Sequence, residues 1–250
     1  MKKNIEIPFG GKTISAYVSY PSGSGKYPGV ILIHEIWGLN QHIQDVSDRL
    51  SNEGYIVVAP DLLKETGVVE KFTPDLFSDL SDPQKAESAR ETMMNIMAPI
   101  NSPVFVSSTV DKIQEWFNFL EKDSKGNGDI AVMGFCFGGS YSFSFAVSQP
   151  KLKASIPFYG RAPENVEEIE KIKCPILAFY GEHDEALMAH NQLPWLKEQM
   201  KKLNKNFEAV VYEDAGHAFF NDTNKERYNA KAASDSWNKT LEFLSKHLKK

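Results

Sequence analysis

The fold of this 250-residue chain depends on residues 130–140, whose sequence is IAVMGFCFGGS. The apolar run at 130–133 is typical of a strand that is buried on both faces. It leads directly into Gly-x-Cys-x-Gly, and residues 140–148 follow with helical spacing. This arrangement predicts a sharp strand-to-helix turn, the nucleophile elbow, with a thiol where most such turns carry a hydroxyl.

Two properties of the turn favour this interpretation of Cys136. Side chains at Gly134 and Gly138 would collide across so tight a turn, so glycine supplies the necessary room. The N-terminus of a helix also favours negative charge, which promotes ionisation of a cysteine whose ordinary pKa is about 8.5. The alternative is a buried structural cysteine beside a glycine-rich turn, and the strand–helix context makes it the weaker hypothesis.

The rest of the chain alternates between buried strands and amphipathic helices. Residues 12–20 alternate between polar and apolar side chains after a Gly-Gly pair, which predicts a hairpin. Such a pattern is typical of an α/β protein whose mostly parallel central sheet is covered by helices on both faces, here a single domain over residues 1–250. The predicted strands cover 30–33, 55–59, 130–133, 154–158, 176–180 and 207–212, and the predicted helices cover 43–52, 110–120, 140–148, 192–202 and 232–248.

A long excursion, residues 63–107, separates a predicted strand from the next predicted helix. It contains a predicted helix from Pro83 to Met97, for which Ser81 or Asp82 is the expected N-terminal cap. Insertions of this length in compact domains are usually functional, so we expect a lid-like segment here.

The charge balance excludes several classes of partner. The chain has 28 Lys and Arg against 33 Asp and Glu, a net charge of −5 and a pI near 5.7. The chain therefore lacks the excess of basic residues that is typical of proteins that bind nucleic acid or an anionic membrane. No apolar run approaches the roughly 18 residues of a membrane helix. The N-terminal residues lack the apolar region of a signal peptide, so we expect a cytoplasmic protein.

The chain has two cysteines, Cys136 and Cys174, too few for a disulfide framework or a structural zinc site. The spacing of the histidines and acidic residues matches no zinc motif, so we expect neither a metal nor another cofactor. A cytoplasmic thiol stays reduced and open to chemistry. A redox role for Cys136 would need a second, resolving thiol. Cys174 is expected at the start of a strand, at the edge of a parallel sheet opposite the elbow, where a small buried side chain fills space in the core.

An elbow predicts its partners in the chain order nucleophile, acid, histidine. The predicted strand at 176–180 ends in Gly-Glu-His-Asp, which makes Asp184 the expected acid. Glu182 and Glu185 are competitors that the spacing does not eliminate.

The histidine is expected in the loop after the last strand, and His217 has that place. His183 is a weaker rival, because it adjoins the acid that it would need to face. In this arrangement Cys136 attacks an acyl carbon, His217 transfers protons and Asp184 orients the imidazole. The histidines in or beside helical segments are expected to be solvated: His42, His190 and His247.

An elbow also needs two amide donors for the oxyanion. The N–H of Phe137 follows the nucleophile, and the N–H of Ile36 lies in the loop after the early strand at 30–33. Glu35 precedes Ile36 in that loop, and its carboxylate could simply accept hydrogen bonds from loop amides.

These motifs together resemble the dienelactone hydrolase family, whose fold is the α/β-hydrolase fold. The resemblance rests on HEIWG at 34–38, GFCFGG at 134–139, Asp184 and AGHAFFND at 215–222, and it runs from about residue 11 to residue 248. It implies that Cys136, His217 and Asp184 form a triad and that Ile36 and Phe137 form the oxyanion hole. It also implies that Glu35 contacts the resting thiol and takes its proton when substrate arrives, which spares an idle thiolate from oxidation.

Substrate recognition departs from the family pattern. Family members that act on dienelactone bind its carboxylate with two arginines, and Arg90 resembles the first in local context. The second is expected four residues after the catalytic histidine, where this chain has Asn221. A shift in preferred substrate follows, and Arg90 could equally be an ordinary exposed helix residue. Trp37, in the loop that carries Glu35, is the other expected substrate-binding residue.

The sequence therefore favours an ester hydrolase that needs no cofactor and forms a cysteinyl acyl-enzyme with a small lactone or short ester. The resemblance makes dienelactone (carboxymethylenebutenolide) the reference substrate. The alternative is a non-catalytic protein of the same fold that binds a small ligand in the same pocket. We expect a monomer or a weak homodimer.

Overall fold

The apolar runs of the sequence lie side by side in one eight-stranded sheet. The structure, a computed structural model, describes residues 1–184 and 192–249. In chain order the strands are β1 (Lys2–Phe9), β2 (Lys12–Ser19), β3 (Tyr27–Ile33), β4 (Ile56–Pro60), β5 (Gly126–Phe135), β6 (Ala154–Phe158), β7 (Ile176–Gly181) and β8 (Phe207–Tyr212). Their spatial order is β1-β2-β4-β3-β5-β6-β7-β8. The pairs β1–β2 and β2–β4 are antiparallel, and the remaining pairs are parallel.

Helices connect the parallel strands. In chain order they are α1 (Gln41–Asn52), α2 (Pro74–Ser81), α3 (Ala86–Met97), α4 (Pro103–Lys122), α5 (Phe137–Ser148), α6 (Val166–Lys171), α7 (Gln192–Lys202) and α8 (Ala230–Leu248). Short 3₁₀ turns lie at Val69–Lys71 and Ala98–Asn101.

The central strands are covered on both faces. Successive side chains of a strand point to opposite faces, and β4, β6 and β7 are buried along their whole length. Helices cover the sheet in two pairs, and the two helices of each pair contact each other. The rings of Phe117 in α4 and Phe145 in α5 lie 5.9 Å apart, and the guanidinium of Arg49 in α1 lies 4.0 Å from the ring centroid of Trp237 in α8. The predicted α/β class with a mostly parallel sheet is therefore confirmed.

The helix expected from Pro83 to Met97 begins only at Ala86, and neither expected cap is used. Ser81 is the last residue of α2. The Asp82 carboxylate accepts a hydrogen bond of 2.9 Å from the backbone N–H of Gln84. Asp82 therefore closes a turn ahead of α3, as Asp commonly does when its side chain bonds two residues on.

The excursion at 63–107 is helical over much of its length, with caps that were not predicted. The Thr73 hydroxyl accepts the N–H of Leu76 at 3.3 Å at the start of α2. The Ser102 hydroxyl accepts the N–H of Phe105, also at 3.3 Å, so that α4 begins at residue 103 rather than 110. In both cases a proline follows the capping hydroxyl and fits the first helical position. A lid-like movement of the segment stays a prediction.

The expectation that His42 is solvated is wrong. His42 lies in the first turn of α1 but is only 3% exposed, and its ring lies 6.0 Å from that of Phe135 and 6.2 Å from that of Phe220. Its Nδ1 is 3.2 Å from a carboxylate oxygen of Asp222, and burial lowers the pKa of the imidazole. His42 belongs to the inward face of α1, together with Ile43. His190 lies outside the described residues, and His247 is half-buried beside Phe243.

Within residues 1–184 and 192–249, no helix combines the length and the apolar composition needed to cross a membrane.

The turn from β5 into α5 is pressed against the end of β3. The N–H of Gly138 donates to the carbonyl of His34 at 3.1 Å. A Cβ added at Gly138 would lie 2.2 Å from the carbonyl oxygen of Ile33, and one at Gly134 would lie 2.2 Å from that of Gly138. The two glycines therefore allow β3 and the elbow to approach within backbone contact.

We expect Gly138→Ala to lower the free energy of unfolding by about 3 kcal/mol, because the new methyl group must displace main chain rather than a flexible side chain. Gly25→Ala is the matched control, since its Cβ would meet the Tyr27 ring at an ordinary 3.5 Å. Urea unfolding of both variants measures the difference. Equal stability of the two variants would contradict the close approach.

Candidate active site

Cys136 lies at the apex of the turn between β5 and α5. Its backbone has φ 55° and ψ −110°, a conformation that residues with a Cβ rarely adopt. The N–H of Cys136 donates to the carbonyl of Phe158 at 3.0 Å, which ties the strained residue to β6. The thiol is half-buried at the start of α5, as the elbow predicts.

The structure brings Asp184 and His217 together. Asp184 is 1% exposed, and its Oδ2 lies 2.7 Å from His217 Nδ1. Glu182 and His183 are exposed at the same loop, so they do not compete for these positions. Glu185 lies outside the described residues.

The environment of His217 favours its charged form. Burial lowers the pKa of the imidazole, but hydrogen bonding to Asp184 and Cys136, and the negative charge of both groups, outweigh burial and raise the pKa to about 10. An imidazolium beside a cysteine stabilises the thiolate. The thiol, the imidazole and the carboxylate therefore lie in a row, a geometry in which an imidazole can exchange a proton with a thiol while a carboxylate orients the ring.

The two amides expected to bind an oxyanion belong to residues that line one cavity with Cys136. Phe137 is the first residue of α5, where a helix leaves its N–H groups without intrahelical partners. Ile36 follows the end of β3. Among the described residues, neither amide donates to another protein group. Both therefore remain available to a developing negative charge.

His34 holds the loop that carries Ile36. Its Nδ1 lies 2.6 Å from the carbonyl of Glu35, and its Nε2 accepts the N–H of Leu62 at 3.1 Å. Because Nε2 accepts, Nδ1 must carry the proton, and burial lowers the pKa so that the ring is neutral. The ring stacks on Phe137 at 5.7 Å and 4°. His34 thus connects the loop after β3 both to the chain after β4 and to the elbow.

Glu35 is buried and hydrogen-bonded, at 2% exposure. Asn221 Nδ2 donates to one of its carboxylate oxygens at 2.7 Å, and the hydroxyl of Tyr159 donates to the other at 3.4 Å. Burial raises the pKa of Glu35, although these two donors and the charge of His217 oppose the rise. The contact between Glu35 and the resting thiol, which the resemblance implies, is replaced by these bonds, while Cys136 interacts with His217.

A cavity of about 320 Å³ opens beside the thiol. This volume is at the lower end for small-molecule sites. The excursion supplies part of the wall through Met97, Ile100, Asn101 and Val106, and the other lining residues are Ile36, Cys136, Phe137, Ser140, Tyr141, Ser144, Tyr159, Arg161 and His217.

The two expected substrate-binding residues do not line this cavity among the described residues. Arg90 is exposed on α3, next to the buried Ala89 that faces the core. Trp37 is half-buried and packs edge-on against Phe72 of the excursion, with ring centroids 5.7 Å apart.

Two lining residues, Tyr159 and Arg161, were not predicted. Both follow β6 directly, at the edge of the sheet where β5 delivers Cys136. Tyr159 has φ 38°, and its ring lies 5.1 Å from that of His217. The signal was present in the sequence, because the carboxyl ends of adjacent parallel strands share one edge, and the strand at 154–158 was predicted.

No group of three or more His, Cys, Asp or Glu side chains within residues 1–184 and 192–249 could hold a metal ion.

Known proteins resemble this chain over nearly its whole length. Residues 14–248 match the model of the dienelactone hydrolase family. The chain belongs to the dienelactone hydrolase family. A relative from Saccharolobus solfataricus, named "putative carboxymethylenebutenolidase", is 36% identical over 258 residues, which cover 98% of each chain.

Solved structures establish the fold of this family member. A "putative dienelactone hydrolase" from Klebsiella pneumoniae superposes with a TM-score of 0.83 at 24% identity, over 98% of each chain. The dienelactone hydrolase from Anabaena variabilis gives a TM-score of 0.70 at 14% identity, over 100% of this chain and 99% of that one. The fold is thus the α/β-hydrolase fold, as the resemblance implies.

We expect Asp184→Asn to lower the pKa of His217 from about 10 toward its ordinary value near 6.5, because the variant removes the negative charge at Nδ1. Titration of the imidazole ring protons by NMR measures the shift. Asp214→Asn is the matched control, since it removes an equal charge from an exposed residue nearby. Identical midpoints in the three proteins would contradict the pairing.

The same pairing predicts how stability depends on pH. Because the folded pKa of His217 is raised, its contribution to stability is complete below about pH 6.5 and is lost as the pH rises toward 10. The difference in unfolding free energy between the unmodified protein and Asp184→Asn should therefore narrow across that interval.

Proposed function

We propose that this member of the family hydrolyses small lactones and short carboxylic esters through an acyl-enzyme on Cys136. The observation that carries the proposal is the strained Cys136, at φ 55°, next to a His217–Asp184 pair joined at 2.7 Å. A backbone conformation that costs stability is expected to persist where it positions a reacting group.

The first half of the reaction forms a thioester. The Cys136 sulfur, as a thiolate whose proton is on His217, attacks the carbonyl carbon of the ester. The carbonyl electron pair moves to oxygen, where the N–H groups of Ile36 and Phe137 stabilise it. When the tetrahedral intermediate collapses, the carbon–oxygen bond breaks and His217 returns its proton to the leaving alcohol.

The second half releases the acid. His217 takes a proton from a water molecule, which attacks the thioester carbonyl, and the carbon–sulfur bond breaks with the thiolate as the leaving group. Asp184 accepts the Nδ1–H throughout, so that Nε2 faces the sulfur and the water.

Glu35 has a proposed part in the resting site. In the family pattern the glutamate takes the thiol proton, whereas in the reaction proposed here His217 holds that proton. Both carboxylate oxygens of Glu35 are engaged, one by Asn221 and one by Tyr159, and burial raises its pKa. We therefore assign Glu35 to holding these two side chains beside the nucleophile.

Cavity size and the relatives support the substrate class. A volume of about 320 Å³ suits a small lactone or a short acyl ester. The Saccharolobus relative is named "putative carboxymethylenebutenolidase", and a butenolide is a lactone. The proposal also requires Cys136 to stay reduced, as it does in the cytoplasm.

We expect Cys136→Ala to lower kcat/KM for 4-nitrophenyl acetate by at least about 10³-fold, because the nucleophile is removed. Cys174→Ala is the matched control. Burial raises the pKa of Cys174 to about 12, which keeps that thiol protonated and unreactive. Its variant should retain activity within about twofold. Initial rates of nitrophenolate release measure both.

Two results would contradict the proposal. Full activity in Cys136→Ala would remove Cys136 from the reaction. Thermal stabilisation of the unmodified protein by lactones, without any product, would instead support the non-catalytic binding protein.

A further inference from the structure

The lining of the cavity beside Cys136 is uneven in polarity. Most of it is apolar, through side chains such as Ile36, Met97, Ile100 and Val106. Polar side chains come from the first turns of α5, from the chain that follows β6, and from Asn101 and His217. Arg161, in the chain that follows β6, is the guanidinium group among the described lining residues.

The backbone of Arg161 is fixed relative to the nucleophile. Its N–H donates to the hydroxyl oxygen of Ser140 at 2.9 Å, and that hydroxyl donates to the carbonyl of Cys136 at 3.3 Å. The preceding Gly160 is packed so closely on α5 that an added Cβ would lie 2.2 Å from the carbonyl carbon of Gly139. One side chain, Ser140, therefore bridges Arg161 and Cys136.

The side chain of Arg161 is exposed, and its charge is not neutralised by the part of the chain that the structure describes. The ion pairs of the described residues do not include it. The described lining of the cavity contains no carboxylate. A guanidinium on a fixed backbone beside an apolar surface is suited to bind an anion by two parallel hydrogen bonds.

We propose that Arg161 binds a carboxylate of the substrate and makes the protein prefer esters or lactones that carry one. This inference rests on the proposed function, and it assigns to a residue after β6 the role that the sequence suggested for Arg90. Arg90 lies outside the described lining of the cavity, and Asn221 is engaged by Glu35. The apolar wall then receives the uncharged body of the same substrate.

Arg227 does not serve this role. It acts electrostatically on Glu35, but it lines a separate depression with His183, Asp184 and His217. Cys136 is not among the residues that line that depression. An anion held there would be on the Asp184 side of the imidazole rather than beside the thiol.

The test compares two matched pairs of substrates. In one pair the acyl group carries the charge: 4-nitrophenyl hydrogen glutarate and its methyl ester. In the other pair the phenol carries a carboxylate or its methyl ester. We expect Arg161→Gln to raise KM for the charged member of at least one pair by about tenfold, a loss of about 1.4 kcal/mol. The neutral members should change by less than about twofold.

Two further variants separate recognition from general charge effects. Arg161→Lys should restore part of the affinity, because it keeps the charge but loses the paired hydrogen bonds. Arg90→Gln changes the net charge by the same amount and should leave both pairs unaffected. Equal effects of Arg161→Gln on charged and neutral members, or a charge-selective loss in Arg90→Gln, would overturn the inference.

An equilibrium measurement keeps this test independent of turnover. Glutarate should raise the Tm of the unmodified protein, and Arg161→Gln should abolish the rise. If no ester is hydrolysed but the Tm shift depends on Arg161, the proposed function fails and the carboxylate site stands. If neutral esters are hydrolysed and glutarate gives no shift that depends on Arg161, only the carboxylate site fails.

Discussion

The backbone contact between the elbow and the end of β3 is the constraint on which the rest of the structure depends. The N–H of Gly138 donates to the carbonyl of His34, and no side chain fits between these two segments. The contact sets the thiol of Cys136 beside the amides of Ile36 and Phe137. It also places the buried carboxylate of Glu35 next to the site, so that one turn brings together the groups to which our proposal assigns the nucleophile and the oxyanion donors.

Burial and pairing determine the charges of the side chains in the site, and the net charge of −5 for the whole chain does not. Asp184 is buried against His217, and hydrogen bonding to Asp184 and Cys136, together with their charge, raises the pKa of the imidazole to about 10 despite its burial. Glu35 receives a neutral partner, Asn221, and keeps a raised pKa. The overall acidity does not require a cationic substrate, because the site itself presents an imidazole of raised pKa and, by our proposal, Arg161.

The sequence predicted what depends on local pattern, and it missed what depends on neighbours in space. Buried runs and the Gly-x-Cys-x-Gly turn specified the sheet and Cys136, and chain order located Asp184 and His217. Arg90 matched a family position but is exposed on α3 and is not among the described residues that line the cavity. Arg161 was missed although the strand at 154–158 was predicted, because the pairing of β6 with β5 is a contact in space rather than a local pattern. Of the two cysteines in the chain, Cys136 has a strained backbone and lines the cavity, whereas Cys174 is buried and its thiol is protonated.

Trapping of the acyl-enzyme tests the central claim most directly. The unmodified protein, in excess over 4-nitrophenyl acetate, is quenched in acid at successive times within the first turnover and digested for mass spectrometry. We predict that one acetyl group appears on the peptide that contains Cys136, as a thioester that hydroxylamine removes. Release of nitrophenolate with no acetyl group on Cys136 at any time would contradict the account.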